Sequence, residues 1–313
     1  MFLLLKGLSM ENTVPEKSTS WAPNEAPVGR WIGFFFAMVG AMIVAQVPFG
    51  VVGAFWKMDG VWAWLPNTLC TFLSFALSLV FAVILLRAIV KTTFHDFILG
   101  ADGKVDWKLC GKILAAWFIG LVLNVAVSTF VFPGSEGGME LNTIGLAPIV
   151  VNLIIAIIFV WAQTTFEEVM FRCTFLRATC GNAIRPTVKC IVWGIVASLM
   201  FMGMHGANPE VLSQMSAETV VLALSSYFIF AITAYAADIV YRNCMPGCVI
   251  HWINNFFLFV FVTGSGTALE TGSIFTVSGS SDAMGSLIGT IILYVPLYIL
   301  MIHDARKRKA AIK

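Results

Sequence analysis

Eight apolar runs, each long enough to cross a bilayer, constrain this chain more than any other feature. They fall at 31–53, 69–90, 110–132, 146–166, 187–204, 217–239, 247–263 and 286–302. A helix needs roughly 17–25 apolar residues to span about 30 Å of hydrocarbon. Inside hydrocarbon every backbone polar group must also be satisfied within the segment, which a helix achieves and an open sheet does not. Charged residues make up only 12% of the 313 residues, too few to cover the surface of a soluble domain. The sequence therefore predicts an all-α, polytopic membrane bundle of about eight transmembrane helices, the fourth continuing as helix past residue 170.

Basic residues set the expected orientation, because cytoplasmic loops carry the excess of lysine and arginine. With both termini in the cytoplasm, eighteen of the nineteen basic residues fall inside and only Lys57 outside. The expected location is the cell membrane. Residues 1–30, with Pro15, Pro23 and Pro27 among polar neighbours, read as a disordered cytoplasmic tail. Residues 31–303 form the membrane domain, and 304–313 a basic cytoplasmic tail. Arg306, Lys307, Arg308 and Lys309 in that tail serve as a topology anchor and can meet anionic membrane lipids. Nothing in the charge pattern, with its net +2, points to nucleic acid. The connection from Phe94 to Trp107 reads as an interfacial segment, and the Gly-, Ser- and Thr-rich stretch 264–285 as a mobile external loop.

Seven cysteines match no zinc spacing and place no disulfide framework in the external loops. Most sit near the cytoplasmic side, where thiols stay reduced, so free thiols are expected. Pro48, Asn124, Asn152, Gln163 and Asp238 are explained by kinks, interhelical hydrogen bonds and helix ends.

Three polar groups inside the spans resist such readings. Glu167, Glu168 and Arg172 close the fourth run, His205 ends the fifth, and His251 and Asn255 share the seventh. A charge near the bilayer core costs several kcal/mol unless it is paired or hydrated, so such residues are functional candidates. Glu168 and Arg172 are four apart, acid first, the favourable order for a pair on one helix face. Glu167 is rotated by about 100° from Glu168, so the two acids take different roles. One is held ionised by Arg172; the other faces a cavity as a candidate general base. His251 and Asn255 are also four apart, and both can donate to a developing oxyanion. Three such groups on three spans favour one shared site; hydrolysis, proton conduction and metal binding all stay open on the residues alone.

At these positions the chain resembles the CPBP (Abi) family, which includes the type II CAAX prenyl endopeptidases. Glu-Glu-x-x-x-Arg at 167–172, Phe-x-x-x-His at 201–205 and His-x-x-x-Asn at 251–255 match its three motifs in order. The resemblance covers about residues 145–260, and Cys173 departs from the glycine that often follows the arginine. It implies a membrane-embedded endopeptidase acting on a peptide or prenylated protein. In that reading Glu167 and His205 prime a water, His251 and Asn255 form the oxyanion hole, and Glu168 with Arg172 holds the site together. It leans toward no cofactor, although two histidines and a glutamate could ligate zinc. The competing functions are a non-catalytic membrane partner or immunity protein, and a proton-coupled carrier; the inverted repeats expected of the carrier are not evident. One geometric tension follows. Counted from Pro186, His205 lies about 28 Å along its helix, near the outer face, whereas Glu167 belongs to the inner half. The two can meet only if the fifth helix tilts or starts well below the membrane, with the fourth projecting inward to about Thr179.

Overall fold

The computed structural model describes residues 26–100, 103–131, 138–181, 184, 187–214, 216–264, 271–278 and 283–312. Each apolar run becomes a helix: α1 (Val28–Phe55), α2 (Leu65–Leu85, continued by a π turn Leu86–Val90), α4 (Trp107–Phe130) and α5 (Leu146–Cys180). Then come α6 (Val188–Met204), α8 (Ala217–Tyr241), α9 (Met245–Phe261) and α10 (Ala283–Ile312). Two short helices, α3 (Phe94–Leu99) and α7 (Pro209–Leu212), lie in the connections. Seven segments are long and apolar enough to cross a membrane. The eighth, α9, has 17 residues and rises about 25 Å, a little short of the hydrocarbon thickness.

Helix starts are written locally. Thr93, Asp106, Thr187 and Ser216 each accept a hydrogen bond from a backbone N–H of the first turn, capping α3, α4, α6 and α8. Between the caps the packing is that of a bundle: α1 lies on α2, α4 and α8 on α10, α6 on α8, and α5 against α2 and α9. Where α4 crosses α10, a Cβ at Gly120 would sit 1.9 Å from the Leu293 carbonyl oxygen, so only glycine allows that approach. Phe34, Met38, Trp117, Phe166, Phe201 and Tyr235 belong to the central core. Phe36, Phe55, Phe118, Val122, Ile157 and Ile299 point outward, the placement hydrocarbon solvent allows and water does not.

Three expectations need correcting. The stretch 264–285 is not wholly loop: β3 (Phe275–Ser278) pairs antiparallel with β1 (Gly138–Leu141) and parallel with β2 (Val262–Gly264). The alternation of aromatic and β-branched residues at Phe275, Thr276 and Val277 suits that pairing. Cys180 and Cys190, expected as free thiols, are joined as a disulfide between the end of α5 and the start of α6, while the other five cysteines are free. The basic tail continues α10 to Ile312. Arg177, read as a topology charge, is buried and donates to the carbonyls of Phe97 and Ile98, closing the C-terminal end of α3. At the other terminus α1 begins at Val28, inside the expected tail, and residues 1–25 lie outside the described residues.

Candidate active site

α5 contributes the acids, and its geometry changes at them. After a first π turn at Ala156–Val160 it is α-helical from Trp161 to Glu168, then opens into a second π turn over Val169–Cys173, closed by the Thr174 N–H donating to the Val169 carbonyl. Such turns occur often at functional sites because they displace one side chain from the regular spiral. From Ala162 to Arg177 almost every residue of α5 is buried, polar ones included.

Glu168 and Arg172 form a two-point ion pair, Nε to Oε2 and Nη2 to Oε1, with both side chains fully buried. The guanidinium lies 4.8 Å from the Phe201 ring centre and 5.1 Å from that of Phe230, so α6 and α8 enclose it between aromatic rings. Glu168 Oε1 is also 2.5 Å from His251 Nδ1, and Arg172 Nη2 is 3.0 Å from the same nitrogen. Glu168 and Arg172 thus both meet His251 Nδ1, and the ring is fixed across α5 and α9. His251 Nε2 then faces Glu167 Oε2 at 3.5 Å.

Glu167 is held differently. Gln163, one turn earlier, donates from Nε2 to Glu167 Oε1 at 2.5 Å. Its own Oε1 accepts from Asn255 Nδ2 at 3.2 Å. Glu167 Oε2 is buried and has no hydrogen-bond partner. Gln163, assigned from sequence to interhelical packing, therefore links the candidate base to the third motif. Its only sequence signal is the four-residue spacing to Glu167.

The tension over His205 is resolved by register. The Cys180–Cys190 link and the 5.8 Å contact between the Phe171 and Phe201 rings align α5 and α6 antiparallel. Continuing that register puts Glu167 level with His205. α5 runs for 35 residues, about 52 Å and far more than a bilayer needs, so its far end projects beyond the membrane as the sequence required. His205 Nδ1 donates to the Phe201 carbonyl at 2.8 Å, leaving Nε2 as the acceptor. Its ring stacks on Tyr227 at 4.5 Å, and the Tyr227 hydroxyl donates to Glu210 at 2.5 Å. Both imidazoles pack on the same Phe201 ring, at 4.3 Å for His205 and 5.8 Å for His251.

All six residues singled out from the sequence thus come together between α5, α6 and α9. Burial is graded across them: Arg172 and Glu168 are sealed, Glu167 and His251 nearly so, and His205 and Asn255 half-buried, so the cluster opens on their side.

Residues 148–257 match the family model described as type II CAAX prenyl endopeptidase Rce1-like. No curated protein and no solved structure matches the chain. The matched segment runs from the start of α5 into α9 and contains every residue of the cluster. A domain of this kind on apolar spanning helices makes the chain an integral membrane protein of protease type. Over these residues the chain is similar to the type II CAAX prenyl endopeptidases of the CPBP family.

Proposed function

We propose that the chain is an intramembrane endopeptidase of CAAX-prenyl-protease type, in which Glu167 activates a water against a peptide carbonyl. One observation carries the reading. Glu167 has one oxygen tethered by Gln163, while the other is buried, unpartnered and directed toward His251 Nε2. A carboxylate held this way is a base with a fixed direction. His205, its Nδ1–H committed to a carbonyl, offers Nε2 to the second hydrogen of the same water. The water proton passes to Glu167 and from there to the leaving amine.

His251 and Asn255 take the other part. His251 Nε2, when it carries the single proton of the neutral ring, donates to the oxyanion together with the Asn255 amide. No acyl-enzyme is involved: Ser198 Oγ donates to the Gly194 carbonyl of its own helix, and Cys190 is disulfide-bonded. The reading uses no metal at these residues, because Glu167 itself is the base and the His251 and Asn255 side chains are the oxyanion donors.

The substrate would be a peptide or prenylated protein approaching from the half-buried side of His205 and Asn255. Both termini are placed in the cytoplasm, in keeping with the basic-residue distribution. The strands agree with that arrangement: Leu141 and Phe275 pair in one sheet, so both ends of the intervening four spans lie on one side. Incubation of the purified protein with matched prenylated and unprenylated peptides tests the function. Cleavage at one internal bond is expected; no cleavage of either peptide would favour a non-catalytic membrane partner on the same scaffold.

A further inference from the structure

Immediately behind the catalytic cluster lies a second buried group that the peptidase reading does not use. Cys173 closes the π turn of α5, Asp238 lies in the last turn of α8, and Cys244 precedes α9. The ligand atoms of these three all lie within 4.8 Å of one another, and all three residues are fully buried. Cys248, one turn into α9 and 9% exposed, is an electrostatic neighbour of Cys173 and completes the set.

Packing of small apolar side chains explains the thiols but leaves Asp238 unexplained. Its Oδ1 accepts from the Gly247 N–H at 2.7 Å, yet Oδ2 is buried with no hydrogen-bond partner. An unpaired buried oxygen costs of the order of 1–3 kcal/mol, and more when charged. Gly247 is itself required there, since a Cβ would meet both Asp238 oxygens within 3.0 Å. The backbone is thus drawn tightly around a carboxylate that has one oxygen unpartnered and one oxygen within 4.8 Å of the Cys173 and Cys244 sulfurs.

We propose that Cys173, Asp238, Cys244 and Cys248 form a closed structural site for one zinc ion. Three thiols and a carboxylate suit a borderline-soft cation that favours four-coordinate tetrahedral binding. With zinc–sulfur bonds of about 2.3 Å, tetrahedral ligands stand about 3.8 Å apart, so the cluster needs only a small contraction. The ion would displace the protons of the bound thiols and fill the vacant side of Asp238. Arg172 and Arg177 lie within electrostatic reach of Asp238 and offset the negative charge of a thiolate-rich centre. The ion would pin α5, α8 and α9 directly behind the site, since Cys173 adjoins Arg172 and Cys248 lies one turn before His251. It is distinct from any metal at the catalytic residues and does not depend on the peptidase reading.

Metal content and cobalt titration of the purified full-length protein test it. The intact protein should carry about one zinc per chain. After removal of the zinc, added Co²⁺ should give the visible bands of tetrahedral cobalt and a near-ultraviolet thiolate-to-cobalt band. Cys173→Ser and Cys244→Ser should each weaken binding by at least about tenfold. Cys70→Ser and Glu167→Gln should leave the stoichiometry unchanged. Wild-type protein that binds neither zinc nor cobalt overturns the proposal without reliance on any variant. So does a metal retained by both cysteine variants, or one lost in Glu167→Gln, because it would then lie elsewhere.

Discussion

The two halves of α5 are opposites. From Leu146 to Trp161 the helix is almost wholly apolar, and Leu146, Val150, Ile154, Ile157 and Ile158 are exposed. From Ala162 onward it carries Gln163, Thr164, Glu167, Glu168, Arg172 and Arg177, all of them buried. In water the apolar half would be the core and the polar half the surface. Here lipid takes the apolar half, and neighbouring helices must satisfy the polar half group by group. Within one continuous helix, polarity marks the inside, and the inward side chains Gln163, Glu167, Glu168, Arg172 and Arg177 each meet a specific partner.

Substitutions can break that contrast, and the largest effect belongs to the sealed pair. Arg172→Ala strands Glu168 in a dry site with His251 as its one remaining hydrogen-bond partner among the described residues. Breaking a buried ion pair on one side costs about 3–5 kcal/mol. We expect loss of folded protein in detergent, read by thermal melting; a variant melting within a few degrees of wild type would show that the pair is not needed for folding.

Next come the residues whose partners are incomplete. Asn255→Ala removes a candidate oxyanion donor and should lower the cleavage rate on the order of 10²-fold with little change in melting temperature. Gln163→Leu keeps the size of the side chain but frees Glu167 Oε1 and leaves Asn255 without its acceptor. A loss of about tenfold in kcat is expected there, with KM nearly constant, since the change misdirects the base and not the substrate. Equal kcat in Gln163→Leu and wild type would return Gln163 to a packing role.

The smallest effect is expected in the apolar half. Ile157→Ala exchanges a lipid-facing side chain for a smaller one, with lipid filling the space. Stability should change by no more than about 0.5 kcal/mol, and activity not at all. A loss comparable to that of a core truncation would mean that this face is covered by protein.

The contrast also explains what could be read from sequence. The eight helices were legible because hydrocarbon thickness sets a length that the runs at 31–53 through 286–302 meet individually. The six clustered residues were legible because polar side chains in apolar runs stand out. Gln163 was not, because its meaning comes from Asn255 on another helix, 92 positions away. The Cys173, Asp238 and Cys244 cluster was hidden likewise: its members come from three helices and share no spacing. The disulfide reflects the antiparallel alignment of α5 with α6, and the small sheet joins strands more than 130 residues apart; local pattern encodes neither.

The central claim is that Glu167, not the neighbouring Glu168, supplies the base. Its most direct test is the single-turnover cleavage rate of Glu167→Gln on a peptide that the wild type cleaves. The amide keeps the shape and the Gln163 contact but removes the base, so a fall of at least about 10²-fold with an unchanged melting temperature is expected. A Glu167→Gln protein that cleaves at the wild-type rate would contradict the account.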